Sequence, residues 1–192
     1  MDQEYTEEER LALIAGHYRE ILHLIGEDPQ REGLVRTPER AAKALLAITA
    51  GYNSDPVEIA HKAIFQHHGS KIVVVKDIEF YSMCEHHILP FFGHVSVGYL
   101  PKGKIIGLSK LPRIIDCFAK RLQVQENLTA QICNFLTKEI ANEGVIVACE
   151  AQHLCMKMRG IEKQDSTTLT YECSGKFEED ASLREEFFKL IQ

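Results

Sequence analysis

Residues 83–94 read MCEHHILPFFGH and place a thiol, a carboxylate and two imidazoles at four consecutive positions, Cys84 to His87. Cys84 and His87 have the spacing that lets two ligands in a turn reach the same metal ion. A second pair of metal-binding side chains, His153 and Cys155, lies far along the chain. Thiolate and imidazole ligands together favour zinc over magnesium or calcium. The two clusters therefore predict a zinc site.

Two ligand sets fit these clusters. The segment VIVACEAQHLCM is predicted to be a strand, on which residues two apart share a face. In one set the site is closed and structural, with four ligands: Cys84, His87, His153 and Cys155. In the other, three of them hold the ion and one position stays open for water, as catalysis requires. The remaining imidazole, His86, is well placed for proton transfer beside such an open site. In a third interpretation the cysteines are core thiols and the histidines are polar residues whose hydrogen bonds are satisfied within the protein. The number of potential metal ligands in CEHH disfavours it.

Cations near these motifs predict a site for an anion. Ser109 is expected to cap a helix that begins at Lys110, and Lys110 and Arg113 are three residues apart, on one helix face. Free N–H groups at a helix N-terminus, reinforced by cations, bind phosphate. Arg159 follows soon after Cys155. Charges on solvated helix faces would explain the same pattern equally well.

Glu126 lies at the start of another predicted helix, next to Gln125. Its carboxylate could simply favour the helix dipole. It could also accept two hydrogen bonds from an N–H/NH₂ edge such as that of guanine. The sequence pattern alone leaves both roles open.

Composition limits the class of protein. The 192 residues suit one domain with an extra helical arm, and 45% hydrophobic with 26% charged residues is typical of globular proteins. The net charge of −6 argues against a general nucleic-acid binder. No apolar run approaches the roughly 20 residues that span a bilayer, and the acidic start of the chain does not resemble a signal peptide. We therefore expect a cytoplasmic protein, without a membrane partner, whose six cysteines are thiols or metal ligands. Three of them are interpreted as core residues: Cys117, Cys133 and Cys149.

The elements expected around these motifs belong to an α+β fold. A capping box at Thr6 predicts a helix over residues 7–25, and Thr37-Pro38 begins a second helix that stops at Gly51. Strands, helices and turns follow in an order that indicates a mainly antiparallel sheet. The elements are the strands KIVVVKDIEF, FFGHVSVGYL and IIGL, helices from Lys110 to about Arg121 and from Gln125 to Glu143, the strands VIVACEAQHLCM and TTLTYECS, and the helix ASLREEFFKLI. We expect an N-terminal helical arm over residues 1–55 and a catalytic domain over residues 56–192.

Four segments together resemble the motifs of the GTP cyclohydrolase I family: SMCEHHILPFFGHVSVGYLP, GLSKLPR, AKRLQVQENLTAQI and HLCMKMRG. The similarity covers roughly residues 35–190. It implies a zinc-dependent hydrolase that opens the guanine imidazole ring of GTP, releases formate and forms 7,8-dihydroneopterin triphosphate. That reaction would be the first step of tetrahydrofolate and pterin biosynthesis, within one-carbon metabolism.

The resemblance also implies a role for each candidate residue. Cys84, His87 and Cys155 would be the three zinc ligands, which selects the open site. His86 and His153 would transfer protons, and Ser109 would assist near the ribose. Glu126 would hold the guanine edge, and the other substrate-binding residues would be Gln125, Lys110, Arg113, Arg159 and, from a neighbouring subunit, Arg40.

The family's tunnelling fold further implies an antiparallel sheet with helices on one face, preceded by the helical arm. Such sheets join side by side into a toroidal barrel, so the resemblance implies a homodecamer of two stacked pentamers with active sites between subunits. Two other functions compete with this one. The chain could be a non-catalytic protein with a structural zinc, or a related enzyme that acts on another purine or pterin.

Overall fold

The computed structural model describes residues 5–192, which belong to two compact units divided between Thr49 and Ala50. The boundary expected from the sequence, between residues 55 and 56, falls a few residues inside the second unit. Of the helices in the described part of the chain, none combines the length and the apolar character needed to cross a membrane.

The first unit consists of two helices, α1 (Glu7–Leu24) and α2 (Thr37–Ile48). The predicted capping box is present, because the Thr6 hydroxyl accepts a hydrogen bond from the Glu9 N–H while the Glu9 carboxylate accepts one from the Thr6 N–H. The chain leaves α1 through Gly26, whose φ of 91° is accessible to glycine at little cost. α2 ends at Ile48, three residues before the predicted stop at Gly51, and a short 3-10 helix (Ala50–Asn53) opens the second unit.

The second unit contains a five-stranded sheet with the strand order β5-β2-β3-β6-β7. All neighbours in it are antiparallel except β2 and β5, which are parallel. A separate antiparallel pair joins β1 and β4. The mainly antiparallel α+β fold predicted from the sequence is therefore confirmed. The bounds, in chain order, are α3 (Pro56–His61), β1 (Ile64–Gln66), β2 (Val73–Cys84), β3 (Pro90–Pro101), β4 (Lys104–Ile106), α4 (Lys110–Ala119), β5 (Leu122–Gln123), α5 (Gln125–Glu139), β6 (Asn142–His153), α6 (Leu154–Lys157), β7 (Thr168–Gly175), α7 (Lys176–Glu179) and α8 (Ala181–Ile191).

The main hydrophobic core lies between the sheet and the helices α4 and α5. Alternate residues of the strands face it, and the helices contribute their apolar stripes, which is the arrangement expected of an amphipathic sheet and helix layer. The buried side chains include Phe80, Phe91, Val95, Val97, Tyr99, Leu111, Ile114, Ile115, Leu128, Ile132, Val145 and Val147. The three cysteines interpreted as core residues are buried here or beside it, and burial raises the pKa of Cys133 to about 11 and of Cys149 to about 12.

A smaller apolar cluster on the opposite face of the sheet was not anticipated. Phe177 of α7 and Phe187 of α8 pack against Leu100, Ile146 and Ala148 of the strands. Helices therefore cover both faces at one end of the sheet, and the end that carries the candidate ligands is outside this second cluster.

Helix α5 is shorter than predicted. The prediction ended it at Glu143, before Gly144, because glycine commonly follows a helix C-terminus. Instead it ends at Glu139, and Asn142 and Glu143 already belong to β6. The Asn142 side-chain amide donates to the carbonyl oxygens of Ile140 (2.6 Å) and Thr137 (3.1 Å), so that a side chain satisfies the end of the helix in place of glycine.

The prediction of one strand from Val145 to Met156 is wrong at its C-terminal end. β6 ends at His153, and Leu154–Lys157 form the single helical turn α6. His153 and Cys155 therefore do not share a strand face, and the alternation argument that brought them together does not apply.

The contact between β3 and α8 gives a stability prediction. A Cβ atom on Gly98 would come within 2.7 Å of Phe187 Cδ2 and 3.0 Å of Ile146 Cγ2. We expect Gly98→Ala to lower the free energy of unfolding by about 1–3 kcal/mol through overpacking. Urea unfolding at one fixed protein concentration measures this. The Phe187→Leu change should cost less in the Gly98→Ala background than in the wild type, and purely additive costs would contradict the packing explanation.

Candidate metal centre and its surroundings

Strand register brings the candidate residues to one end of the five-stranded sheet, where several strands begin or end. Cys84, at the end of β2, pairs with Gln123 of β5. Across β3, Phe91 lies opposite Ser82 on one side and opposite His153 on the other. Because β3 is antiparallel to both β2 and β6, the C-terminal ends of β2 and β6 lie at the same end of the sheet. The segments that follow them, residues 85–89 and α6, are thereby neighbours.

The segment after Cys84 folds back in a tight turn. The Cys84 carbonyl accepts hydrogen bonds from the N–H groups of His87 (3.4 Å) and Ile88 (2.8 Å), and the Cys84 N–H donates to the Leu89 carbonyl (2.9 Å). Ile88 has a φ of 53°, which is unfavourable for a β-branched residue. The backbone therefore stores strain in the turn that presents His87, a feature often found at functional sites.

Three potential ligand atoms converge beside this turn. The ligand atoms of Cys84, His87 and Cys155 all lie within 4.8 Å of one another, and the described residues form no other such group. Cys84 Sγ and His87 Nδ1 are 3.7 Å apart. Two ligands at the usual zinc–sulfur and zinc–nitrogen distances in a tetrahedron would be about 3.6 Å apart. The geometry and the two-sulfur, one-nitrogen donor set both fit a zinc ion.

The electrostatics of the thiols also suit a cation. Burial raises the pKa of Cys155, and the neighbouring Cys84 raises it further. Two adjacent sulfur atoms therefore resist becoming thiolates together unless a positive charge is bound between them.

His153 does not join this group, although it lies two residues from Cys155. Its Nε2 is 2.8 Å from Oε1 of Gln125, and its ring stacks on Phe91 with centroids 4.7 Å apart and planes 2° apart. The four-ligand site considered from the sequence therefore lacks its fourth member in this structure. Burial lowers the pKa of His153, and the nearby Glu126 carboxylate partly offsets that effect.

His86 lies next to the three-residue group and is exposed. Its Nδ1 is 4.0 Å from Cys84 Sγ, and its ring meets that of His87 edge-on at 6.1 Å. Its other nitrogen, Nε2, is 3.9 Å from a carboxylate oxygen of Glu85. Glu85, for which the sequence suggested no definite role, is therefore a neighbour of the His86 ring.

The predicted anion-binding residues are only partly brought to this group. Arg159 is close enough to Cys155 to lower the pKa of that thiol, which burial and Cys84 raise overall. Glu126 is close enough to His153 to raise the pKa of that imidazole, which burial lowers overall. Lys110 and Arg113 lie on α4, where Lys110 is half-buried and Arg113 exposed. No hydrogen bond or ion pair between described residues links them, or Ser109, to the three ligands. Arg40 is exposed on α2, in the first unit.

The expectation that the Ser109 side chain caps α4 is wrong. Ser109 precedes the helix, but its side chain makes no capping hydrogen bond. Its backbone is already helical, with φ −66° and ψ −10°, and an N-cap side chain needs an extended backbone to reach the following N–H groups.

Gln125 occupies a different environment from the one predicted for a substrate contact. Its side chain is buried, and both ends of its amide are bonded within the chain. Two threonines of the same network, Thr129 and Thr170, were not identified from the sequence. The only signal for Thr129 was its helical spacing, one turn after Gln125, and Thr170 on β7 had none.

Comparison with known proteins agrees with the sequence resemblance. Residues 14–192 match the family model described as GTP cyclohydrolase I. A protein of Porphyromonas gingivalis named GTP cyclohydrolase 1 is 54% identical over 188 residues, which cover 98% of this chain and 97% of that one. A protein of the same name from Parabacteroides distasonis is 53% identical, with 93% and 91% covered. One from Pseudomonas aeruginosa, named GTP cyclohydrolase 1 1, is 51% identical, with 93% and 96% covered.

Among solved structures, the archaeosine synthase QueF-Like in its apo form is similar to part of the chain. The match has a TM-score of 0.46 and 17% sequence identity, and it covers 56% of this chain and 97% of that one.

The three-residue group predicts which side chains are needed for metal binding. We expect Cys84→Ser, His87→Ala and Cys155→Ser each to reduce bound zinc from about one ion per chain to a small fraction of that, because each removes one of three protein ligands. His86→Ala is the matched control, since it removes the adjacent imidazole and should leave the zinc content unchanged. Metal analysis after gel filtration measures both, and zinc loss in His86→Ala would contradict the ligand set.

Proposed function

The chain belongs to the GTP cyclohydrolase I family, and we propose that it is a zinc enzyme that converts GTP to 7,8-dihydroneopterin triphosphate and formate. The observation that carries the proposal is the convergence of Cys84, His87 and Cys155 beside two histidines that lie outside the group, His86 and His153. A purely structural zinc site would need neither histidine.

The fold is the tunnelling fold of this family, and we propose the family's toroidal decamer as the assembly. Two features support it. β7 is an edge strand of the sheet, and an unpaired edge favours pairing with another chain. Leu169 and Tyr171, two residues apart on β7, are both exposed and give this strand an apolar face that a second chain could cover.

A bound zinc ion would lower the pKa of water and so supply a nucleophile at neutral pH for attack on C8 of guanine. The protein's own residues would manage the protons. His153 would protonate N7 as C8 is attacked, so that negative charge does not accumulate on the ring. His86, exposed and beside Glu85, would exchange protons with solvent and with the leaving groups.

Substrate binding would use the charged residues around this group. The Glu126 carboxylate, exposed at the start of α5, can accept two hydrogen bonds from the N–H/NH₂ edge of guanine. Lys110, Arg113 and Arg159 would bind the triphosphate, and Ser109 would lie near the ribose. In the decamer, Arg40 would reach the site from a neighbouring subunit.

The proposed place of action is the cytoplasm. All six cysteines of the chain are free thiols in the structure, which suits a reducing compartment. The product would feed tetrahydrofolate and pterin biosynthesis, the pathway that the family serves.

The direct test is product formation. Zinc-loaded protein is incubated with GTP, the mixture is oxidised, and neopterin fluorescence is measured. We expect a clear signal that disappears when a chelator removes the metal and returns when zinc is added back. A folded, zinc-replete protein that gives no signal with GTP would overturn the proposal and favour another purine or pterin as substrate.

The two histidines give a mutational prediction. His86→Ala and His153→Ala should each lower kcat by about 10²–10⁴-fold, the usual contribution of general acid–base catalysis, while zinc content stays the same. His94→Ala is the control, because it removes an exposed imidazole of β3. Full turnover in either variant would show that the corresponding histidine is not a proton-transfer residue.

The proposed triphosphate contacts predict an effect on KM. Lys110→Ala, Arg113→Ala and Arg159→Ala should each raise the KM for GTP by about tenfold or more, since each removes a charge-assisted hydrogen bond. Lys120→Ala is the control, because Lys120 directly follows α4 and pairs with Asp116 at 2.8 Å. Steady-state kinetics distinguish the two groups, and an unchanged KM in all three variants would remove this pocket from the proposal.

A further inference from the structure

The starting observation is the burial of a primary amide next to His153. Gln125 is the first residue of α5, and only 1% of it is exposed. A buried amide is destabilising unless its donors and its acceptor are all bonded. The partners that Gln125 finds therefore determine which way its amide must point.

Its nitrogen end is fixed by backbone carbonyls. Gln125 Nε2 is 2.9 Å from the carbonyl oxygen of Cys149 on β6 and 2.9 Å from that of Thr168 on β7. Carbonyl oxygens can only accept hydrogen bonds, so the atom that faces them must be the NH₂ group. The usual ambiguity between the two ends of a glutamine amide is removed by these two partners.

The oxygen end then determines the tautomer of His153. Gln125 Oε1 lies 2.8 Å from His153 Nε2, and a carbonyl oxygen can only accept. Nε2 must therefore carry a proton and donate it. Nδ1 is then the ring nitrogen that the contact with Gln125 leaves free.

The plane of the imidazole is fixed separately. The His153 ring is stacked almost parallel on Phe91, its partner across β3 and β6. Stacking restricts the tilt of the ring, and the hydrogen bond to Gln125 restricts rotation within its plane. Together they leave one orientation for Nδ1.

Two threonines hold the glutamine in turn. The Thr129 hydroxyl donates to the main-chain carbonyl of Gln125 at 2.9 Å, and Thr129 and Thr170 share a hydrogen bond of 2.7 Å. Thr170 Oγ1 also lies 3.2 Å from Gln125 Nε2. The amide therefore belongs to a buried network that joins α5, β6 and β7.

We propose that Gln125 is a positioning residue that fixes the orientation of the His153 ring and accepts a hydrogen bond from its Nε2–H, so that Nδ1 is the ring nitrogen left free to contact the substrate. This inference rests on the proposed function for the role of His153, and it replaces the direct substrate contact expected for Gln125. In the reaction, the Nδ1–H bond would break as N7 of guanine takes the proton. The bond from Nε2–H to Gln125 would stay intact throughout.

Neutron diffraction tests the tautomer without any turnover. Crystals of the zinc-loaded protein are exchanged into D₂O at neutral pH, and the density around His153 and Gln125 is examined. We expect deuterium on Nε2, directed at Gln125 Oε1, and an ND₂ group directed at the two carbonyls. A ring with deuterium on Nδ1 alone, or a flipped amide, would overturn the inference.

Kinetics of a matched pair of variants test the positioning role. Gln125→Met removes both ends of the amide and keeps the side-chain length. Gln123→Met removes another glutamine, which is 4% exposed. Its side chain bonds to the Phe118 carbonyl, to Gln131 and to the Val124 N–H, and makes no hydrogen bond to His153. We expect Gln125→Met to lower kcat by about tenfold or more while the KM for GTP and the zinc content change little.

Gln123→Met should lower the urea midpoint to a similar extent and keep kcat within about threefold of the wild type. Equal loss of kcat in the two variants would mean that Gln125 only stabilises the fold, and the inference would fail. Wild-type protein without GTP turnover would instead contradict the proposed function, while the deuterium positions would still decide the tautomer.

Discussion

The pairing of Phe91 with His153 across β3 and β6 is the contact on which the arrangement of the site depends. This register aligns the C-terminal end of β6 with that of β2. The turn after Cys84 and the turn that carries Cys155 are therefore neighbours. A shift of one residue in this register would turn each strand residue to the opposite face of the sheet. The same pair places the His153 ring on an aromatic surface, and Nε2 of that ring bonds to Gln125 outside the three-ligand group. Strand pairing thus separates the residues that would hold the ion from the residue that would move the proton.

Two electrostatic requirements, or demands, must be met at this end of the sheet. The sulfur atom of Cys84 is close enough to Cys155 to disfavour the thiolate form of Cys155, and a bound cation relieves that cost. The buried amide of Gln125 must satisfy two carbonyls and one imidazole at once. Both demands involve groups from different elements, between the end of β2 and β7, so the site depends on how the strands are paired. Satisfied polar networks of this kind are rigid, and rigid placement is what proton transfer requires.

Local sequence signals predicted the elements well where local interactions decide them. The capping box at Thr6 marks the true start of α1, and the strands that follow residue 71 were recognised from their β-branched residues. Errors arose where a side chain or a neighbouring strand decided the outcome. The Asn142 amide ends α5 early, and the helical turn at Leu154–Lys157 replaces the expected strand. The three ligands were named from their types and from family resemblance, and the structure brings them together. The contact between His153 and Gln125 depends on residues 28 positions apart, so no local pattern could have revealed it.

X-ray absorption at the zinc edge tests whether three side chains hold the ion and His153 does not. We expect a first shell of two sulfur atoms at about 2.3 Å, one nitrogen at about 2.0–2.1 Å and one oxygen from water. We expect the same shell in His153→Ala. A shell of two sulfur and two nitrogen atoms, which loses one nitrogen when His153 is replaced, would instead show that His153 is a ligand and that the site is closed and structural.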